Sequence, residues 1–524
     1  MAVTIGDVVA LSGGTVHNGA DSADTALVGM DLNAAATPEG GLFAAVPGTR
    51  THGATYANQS AAAAVLTDEA GLALLNEAGE KRPVIVVDDV RAVMGSVAAE
   101  IYGRPVDKLT IIGVTGTSGK TTTTYMLESA LLEAGCATGI IGTTGTRINQ
   151  RTVPSSLTTP EAPSLQRLFS EMVDEGVTHV VMEVSSHALS LGRVAGVTFD
   201  VGCFLNLSQD HLDFHHTLEE YFEAKALLFH GDSPVHARHA VVCVDDAWGR
   251  QMAEIAGEDS AVTVDKVATH RMQLDDARTN DALPAGSELA WKAQDVTVAP
   301  NGMQQVTLVG AEQVTLDVPL PGEFNVANAT VAWGALAAVG MANDAAQRGL
   351  AKVAVPGRMQ RIDKGQDFLA VVDYAHKPAA VGEVLRTLRA QTSGKVIAVV
   401  GAGGDRDATK RPLMGAEAVK VADAVFVTDD NPRSEEPALI REAVASGAYD
   451  QQKIEKDAGR DVPVEVIGDR AEAISAAINL ATTGDAVVVA GKGHETGQEI
   501  NGVMHPFDDR EEVAKSLERK KRVD

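Results

Sequence analysis

The chain has 524 residues, is 45% hydrophobic and 22% charged, and so has the balance of a soluble globular protein with several cores and about three domains of ordinary size. Its formal net charge of −27 and the lack of any basic patch argue against binding to nucleic acid or to an anionic membrane surface; an anionic substrate would need a locally basic cleft. Three isolated cysteines (Cys136, Cys203, Cys243), a start without a basic segment followed by an apolar one, and no apolar run of about 18 residues point to a cytoplasmic protein without a membrane span.

Residues 1–107 are Ala-rich and acidic, and close with a predicted strand at 83–88, a helix through Ile101 and a Gly-Arg-Pro linker at 103–105. From Lys108 short apolar runs alternate with helical segments. Strands are predicted at 109–114, 178–183, 200–206 and 239–245, with a helix over 120–133. Continuous apolar strands of this length are those of a parallel sheet covered on both faces. Between 287 and 319 the period becomes two, and Asn301-Gly302 between alternating runs predicts a hairpin. Helix returns over 324–339, Pro356-Gly357 marks a boundary, and three more strands are predicted at 395–400, 424–428 and 485–490. The expected fold class is therefore α/β with three domains: a smaller N-terminal α/β domain (1–107), a central P-loop domain with a doubly wound, mostly parallel sheet (108–355) and a C-terminal Rossmann-like domain (356–524). Nearly every unusual polar cluster lies just past the C-terminal end of one of these strands, where open α/β sheets bind ligands.

The strongest local signal is TGTSGKTT at 115–122, between a strand and a helix. Such a loop points backbone N–H groups and a helix N-terminus at phosphates, with Lys120 neutralising them and the Thr121 hydroxyl suited to Mg²⁺. Val114 stands where the general P-loop pattern has its first glycine, and an ordinary Gly-rich turn is the plain alternative. MEVSSH (182–187) and NLSQDHLD (206–213) each follow a buried strand. Glu183 and His211 could reach a metal held between phosphates and substrate, whereas a solvated strand end and a hydrogen-bonding imidazole are the plain readings of the two.

Taken in order, TGTSGKTT (115–122), LTTPEA (157–162), MEVSSHAL (182–189), NLSQDHLDFH (206–215), YFEAKALLF (221–229), FNVANA (324–329), VPGRMQ (355–360), VDYAHKP (372–378), GAGGDRDATKRPLMG (401–415), TDDNPR (428–433) and AGKGHE (490–495) resemble the Mur ligase superfamily, which builds the peptide stem of bacterial cell-wall precursors. The resemblance implies a monomeric enzyme that uses ATP and Mg²⁺ to activate a carboxylate as an acyl phosphate and join it to an amine. Its substrates would be a UDP-N-acetylmuramoyl dipeptide and meso-diaminopimelate. ATP would contact Gly116, Thr117, Ser118, Gly119, Lys120, Thr121 and Thr122, with Asn328 near the adenine and Arg358, Asp373 and Lys377 reaching in from the C-terminal domain. Thr158, Thr159, Ser185 and Arg193 would hold the nucleotide-linked dipeptide. Lys225 matches a lysine that these enzymes carry carbamylated; without the resemblance it reads as a surface lysine on a Glu-Ala-Lys helix. Thr121, Glu183, His211 and carbamylated Lys225 would form the metal set.

Three positions depart from the family pattern. Residues 29–33 stand where many relatives have a Ser-Arg pair at the uridine site, and Leu157 and Leu191 stand where Asn and Gln are common. For the acceptor, meso-diaminopimelate carries one more carboxylate than lysine, so its site needs an additional cation. Arg433 and Arg406 are the candidates. Asp430, Asn431 and Pro432 complete that loop, and Gly491 and Glu495 would finish the site, Glu495 accepting from an ammonium. His376 is a candidate base for the attacking amine. The rivals are the same reaction with L-lysine, a related ligase such as folylpolyglutamate synthetase, and a P-loop switch that moves a partner.

Overall fold

A computed structural model of the chain describes residues 2–19, 21–48, 50–155, 157–269, 289–299 and 303–521. It divides into two compact units, one of Met1–Gln294, Leu308–Gln313 and Ala327–Leu350, the other of Asp295–Thr307, Val314–Val326 and Ala351–Asp524. Among the described residues no helix is long and apolar enough to cross a membrane.

The first unit opens with a small sheet of β1 (Thr15–His17), β2 (Met30–Asp31), β3 (Leu42–Ala44), β4 (Ala64–Thr67) and β5 (Val84–Val86) in the order β1-β5-β4-β3-β2. All neighbours are parallel except β1 against β5. Leu42, Ala44 and Leu66 face a core with Ile5 and Val8 of α1 (Ile5–Ser12) and Met94 and Val97 of α3 (Val90–Ile101). Phe43, Val65 and Val84 face the other way, onto Leu72 and Leu75 of α2 (Glu69–Glu77). The alternation of side chains along a strand thus fills two cores at once. At Gly95 a Cβ would lie 2.3 Å from the Ala195 carbonyl oxygen, so α3 rests on the following part of the unit by bare backbone.

That part is built on β6 (Thr110–Thr115), α4 (Lys120–Glu133), β7 (Thr138–Gly142), β8 (Gly145–Ile148), β9 (Arg151–Val153), α5 (Ala162–Asp174), β10 (His179–Glu183), α6 (Ser186–Ser190), β11 (Phe199–Phe204), α7 (Leu212–His215), α8 (Leu218–Ala226), β12 (Ala237–Cys243) and β13 (Thr263–Ala268). The strands run in the order β13-β12-β11-β6-β10-β7-β8-β9, parallel from β13 to β7 and antiparallel beyond. Strand order reverses at β6, with β10 on one side and β11 on the other, and this is the point at which such sheets bind ligands. The predicted strands are present within two residues at each end. The sequence reading passes over the β7–β8–β9 meander, the strands of the small N-terminal sheet other than β5, and a strand at Leu369–Asp373. The alternating segment forms β14 (Trp291–Val298), β15 (Gln304–Gly310) and β16 (Gln313–Val318), while the turn at 300–302 lies outside the described residues.

The second unit holds β17 (Gln360–Arg361), β18 (Leu369–Asp373), β19 (Val396–Val400), β20 (Ala424–Val427), β21 (Val464–Val466) and β22 (Ala486–Ala490) in the order β17-β18-β22-β19-β20-β21, parallel except for β17. A hairpin of β23 (Gly497–Ile500) and β24 (Val503–Pro506) follows. Between the sheet and its last helix, Asp509–Lys520, lies an ion pair: Arg470 donates to both carboxylate oxygens of Asp509 at 2.7 and 2.8 Å, with both side chains at 0% exposure. Arg470 also donates to the carbonyls of Ala490 (3.0 Å) and Asp429 (3.2 Å), tying two strand ends to the helix. Removing one partner strands a charge in the core. Asp509→Ala should therefore destabilise this unit by about 3–5 kcal/mol, and the double replacement Arg470→Met/Asp509→Leu should recover most of the loss, both read by chemical denaturation.

Candidate active site

Residues 116–119 link β6 to α4, and the turn needs Gly116 at φ 148 and Gly119 at φ 88. Gly119 could not be anything larger, because a Cβ there would lie 2.3 Å from the Asn328 side-chain oxygen. The loop is held from β11: the Asn206 carbonyl accepts from the Thr117 amide (3.0 Å), and its side chain accepts from the Ser118 amide (3.0 Å) and donates to the Ser118 carbonyl (3.2 Å). The Ser208 amide donates to the Thr117 hydroxyl at 2.9 Å. What remains is the first turn of α4, whose N–H groups have no acceptor within the helix and carry its positive dipole end. Lys120 begins that turn and folds back onto the carbonyls of Gly116 (2.8 Å) and Thr117 (3.0 Å).

The β6–β10 register sets Glu183 beside Val114, so its carboxylate emerges level with the loop. It is 1% exposed and accepts from the Thr121 hydroxyl (2.9 Å), the Thr143 amide (2.8 Å) and the Thr143 hydroxyl (3.1 Å). A Cβ on Gly142 would come within 2.5 Å of the carboxylate, so only glycine lets the β7–β8 turn approach this far. The sequence-predicted Thr158, Thr159 and Ser185 gather at the same place. Thr159 donates to the Glu183 carbonyl (2.9 Å) and accepts from the Ser185 amide (3.3 Å), and the Thr158 and Thr143 hydroxyls are 3.2 Å apart. Arg193 pairs with Glu161 at 3.0 Å, and Glu161 also meets Arg91 at 3.2 Å. Thr122 is buried in the first turn of α4.

Lys225, on α8, is 1% exposed and donates to the Gly116 carbonyl at 2.9 Å, the oxygen that Lys120 also contacts. Its ammonium lies 4.4 Å from the centre of the Tyr221 ring. Burial, and then the Lys120 charge, push its pKa well below the lysine range, with Asp210 opposing. His211 has φ 53 at the start of α7; its ring meets His187 edge-on at 4.8 Å and lies 6.1 Å from Tyr221. His215, in the same group, pairs with the Ser186 hydroxyl at 2.9 Å.

In the second unit the sequence-predicted residues fall at the ends of β18, β20 and β22. Asp373 is buried and accepts from the Met359 (2.7 Å) and Ala375 (2.8 Å) amides; burial raises its pKa, and Arg358 pulls the other way. Arg358 covers the Tyr374 ring at 4.9 Å, and Lys377 caps the helix Pro378–Gln391. His376 Nδ1 lies 2.9 Å from the Tyr374 carbonyl, which can only accept, so that nitrogen carries the hydrogen. Burial lowers the His376 pKa, and the Tyr374 carbonyl opposes it.

Asn431 is the hub of the other cluster. Its amide donates to Glu495 (2.8 Å), and its oxygen accepts from Lys492 (3.1 Å) and from the Glu499 amide (3.0 Å). Asp430 packs against Gly491, where a Cβ would be 2.3 Å from the carboxylate, and its carbonyl accepts from Gln498 at 2.7 Å. Arg433 has φ 53, donates to the Gly404 carbonyl (2.6 Å) and pairs with Glu499 at 3.4 Å. A Cβ at Gly404 would sit 1.9 Å from the Pro432 carbonyl oxygen, which seats the loop. Arg406 is exposed and its side chain donates to the Asp405 carbonyl at 3.4 Å. The sequence reading misses Asn206, Thr143, Lys492 and Gln498. Asn206 and Lys492 lie inside motifs singled out from the sequence, but nothing local marks them as the residues that hold the loops.

Comparison with known proteins agrees with this architecture. Residues 114–336 match the Mur ligase middle domain and residues 357–493 the Mur ligase glutamate ligase domain. A UDP-N-acetylmuramoyl-L-alanyl-D-glutamate--2,6-diaminopimelate ligase of Corynebacterium glutamicum is 57% identical over 94% of this chain and 92% of its own. One of Streptomyces coelicolor is 46% identical over 94% and 93%. A solved structure of an enzyme with that name covers 99% of this chain and 100% of its own, at a TM-score of 0.71 and 33% identity. The fold is that of ATP-dependent ligases that form an amide bond. The chain belongs to the Mur ligase family.

Lys225 gives this site a measurable signature. A lysine with a depressed folded pKa binds fewer protons than the unfolded chain between that pKa and about 10.4, so stability rises with pH across that window and is lost as pH falls. Lys225→Met should remove this rise and raise the melting temperature at neutral pH in bicarbonate-free buffer, as followed by thermal melts from pH 6 to pH 10.

Proposed function

We propose that this protein is a cytoplasmic enzyme of peptidoglycan synthesis that adds meso-diaminopimelate to UDP-N-acetylmuramoyl-L-alanyl-D-glutamate at the expense of ATP. The relatives that bear that name and span nearly the whole chain support this reading. The observation that carries it is the paired charge in the second unit. Glu495, oriented by Asn431 and Lys492, offers a carboxylate to an ammonium, and Arg433 on the adjoining loop offers a guanidinium to a carboxylate. A ligand with both groups at its far end, as diaminopimelate has and lysine lacks, satisfies both.

In this reading three modules divide the work. Residues 1–107 take the uridine nucleotide, 108–355 take ATP and 356–524 take the acceptor. The amides of 116–122 and Lys120 hold the phosphates, with Asn328 behind the loop and Arg358, Asp373 and Lys377 serving the nucleotide from the last module. Thr158, Thr159, Ser185 and Arg193 orient the dipeptide. The Thr121 hydroxyl and the Glu183 carboxylate are hard oxygen donors 2.9 Å apart, the kind that suits Mg²⁺, which keeps most of its other positions for water and phosphate. Bound there, Mg²⁺ would neutralise charge on the phosphates. His211 and Lys225 would complete the set. Buried Lys225, its pKa held below the lysine range, is suited to add its amine nitrogen to CO₂ with loss of a proton, giving a carbamate.

The D-glutamyl carboxylate then attacks the γ-phosphorus of ATP and ADP leaves. Lys120 and the loop amides stabilise charge on the transferring group. The diaminopimelate amine attacks the acyl phosphate, its proton passes to a base, and phosphate departs. His376, with Nδ1 protonated and Nε2 available, is suited to be that base.

Mass spectrometry of the product formed from ATP and the UDP-linked dipeptide with each amino acid tests the reading: diaminopimelate should be incorporated in strong preference to lysine, and equal incorporation would refute it. Arg433→Ala should raise the KM for diaminopimelate about 10- to 100-fold, the worth of one hydrogen bond to a charged group, and leave slow lysine turnover unchanged. Lys120→Ala should abolish product formation with either.

A further inference from the structure

One face of α4 does more than carry the phosphate loop. Thr121, Tyr125 and Glu128 are spaced four and three residues apart, so they line one stripe of the helix; Tyr125 and Glu128 bond the β7–β8 hairpin directly, and Thr121 is linked to it through Glu183. Thr121 and the Thr143 amide share a carboxylate oxygen of Glu183. One step down the helix the Tyr125 hydroxyl donates to the Thr144 hydroxyl at 2.9 Å and accepts from Arg147 Nη1 at 2.6 Å. At the next step Glu128, 6% exposed, takes both Nε (3.1 Å) and Nη2 of Arg147. Arg147 sits on β8 opposite Ile140, so the guanidinium is fixed to the hairpin stem as well as to the helix. Thr143 and Thr144 are the two residues of the turn between Gly142 and Gly145. One reaches the carboxylate and the other reaches the tyrosine.

A two-residue turn of small polar residues has little stiffness of its own. Here its second residue is tied through Tyr125, Arg147 and Glu128 to the helix that presents Thr121, so Thr143 and Thr121 are held against Glu183 by one frame. We propose that Tyr125, Glu128, Thr144 and Arg147 are positioning residues that set the Glu183 carboxylate for the divalent cation. The proposal rests on the reading above, in which Glu183 and Thr121 hold that ion.

The test compares Thr144→Val, which removes the hydroxyl and keeps the shape, with Thr144→Ser, which keeps the hydroxyl, beside Glu183→Gln. Binding of Mn²⁺ with a non-hydrolysable ATP analogue is followed by electron spin resonance, and kcat and the KM for ATP are measured as Mg²⁺ is varied. Thr144→Val should weaken Mn²⁺ binding and lower kcat about 10-fold, the usual scale for residues behind a metal ligand, with a raised Mg²⁺ requirement. Its melting temperature should stay within about 2 °C, because Thr144 is only half-buried and the replacement keeps its shape. Thr144→Ser should restore wild-type behaviour. If Thr144→Val binds Mn²⁺ and turns over like the wild type while Glu183→Gln is crippled, the brace is wrong and the role of Glu183 stands. If Glu183→Gln itself leaves Mn²⁺ binding unchanged, both fall.

Discussion

The phosphate end of the first unit depends on one carboxylate. Glu183 touches the helix after the loop, the β7–β8 turn and, through its own carbonyl, the Thr159 segment. It can do so because β10 pairs with β6 in a register that sets Glu183 against Val114. Moving that pairing by one residue would turn the carboxylate to the opposite face of the sheet. The register in turn is fixed by burial on both faces: Ile111, Ile112, Val180 and Val181 are all at 0% exposure. The chemistry of the site is therefore specified by apolar residues that never approach a ligand.

The chain carries a net charge of −27, and its buried cations separate by how they are neutralised. Arg470 has a bidentate carboxylate, which fits a structural clamp. Lys492, at 0% exposure, has Asn431, Glu495 and the Gly497 carbonyl at 2.6 Å, a complete set of three acceptors for an ammonium. Lys225 has a single carbonyl, which it shares with Lys120, and an aromatic face. No carboxylate lies in contact with it among the described residues. Burial with so few acceptors, and then the Lys120 charge, hold its pKa well below the lysine range. The difference between the three is one of acceptor count, not of burial.

The sequence was legible where a strand is long, apolar and followed by a marked loop. The strands ending at Thr115, Glu183, Val400 and Ala490 could be placed for that reason, and with them the loops that carry Lys120, Glu183 and Glu495. Of the small N-terminal sheet only β5 could be read, because strands such as Met30–Asp31 and Thr15–His17 are too short to show a period. The β7–β9 meander is broken by Gly139, Gly142 and Gly145 and reads as loop. The residues that hold the loops were invisible for another reason. Asn206 acts on Ser118 from 88 positions away and Gln498 on Asp430 from 68, and neither distance leaves a trace in local composition.

Those long-range ties explain how the second unit can keep its scaffold and still be specific. The backbone of 430–433 is set by contacts that ignore the identity of the ligand: Gln498 on the Asp430 carbonyl, the Glu499 carbonyl on the Arg433 amide, and the Asn501 amide on the Arg433 carbonyl at 2.6 Å. The β23–β24 hairpin supplies all three, so the loop is held along its edge as a strand would be. The backbone path at Arg433 is thus held without help from the arginine side chain. Arg433 has a left-handed backbone that most residues avoid, and the hydrogen bonds on both sides of it offset that cost. A guanidinium held in such a conformation is displaced less readily than one on a relaxed loop. In the reading proposed above, selectivity for a second carboxylate on the acceptor would then rest on the stiffness of the backbone beneath the arginine as much as on its charge.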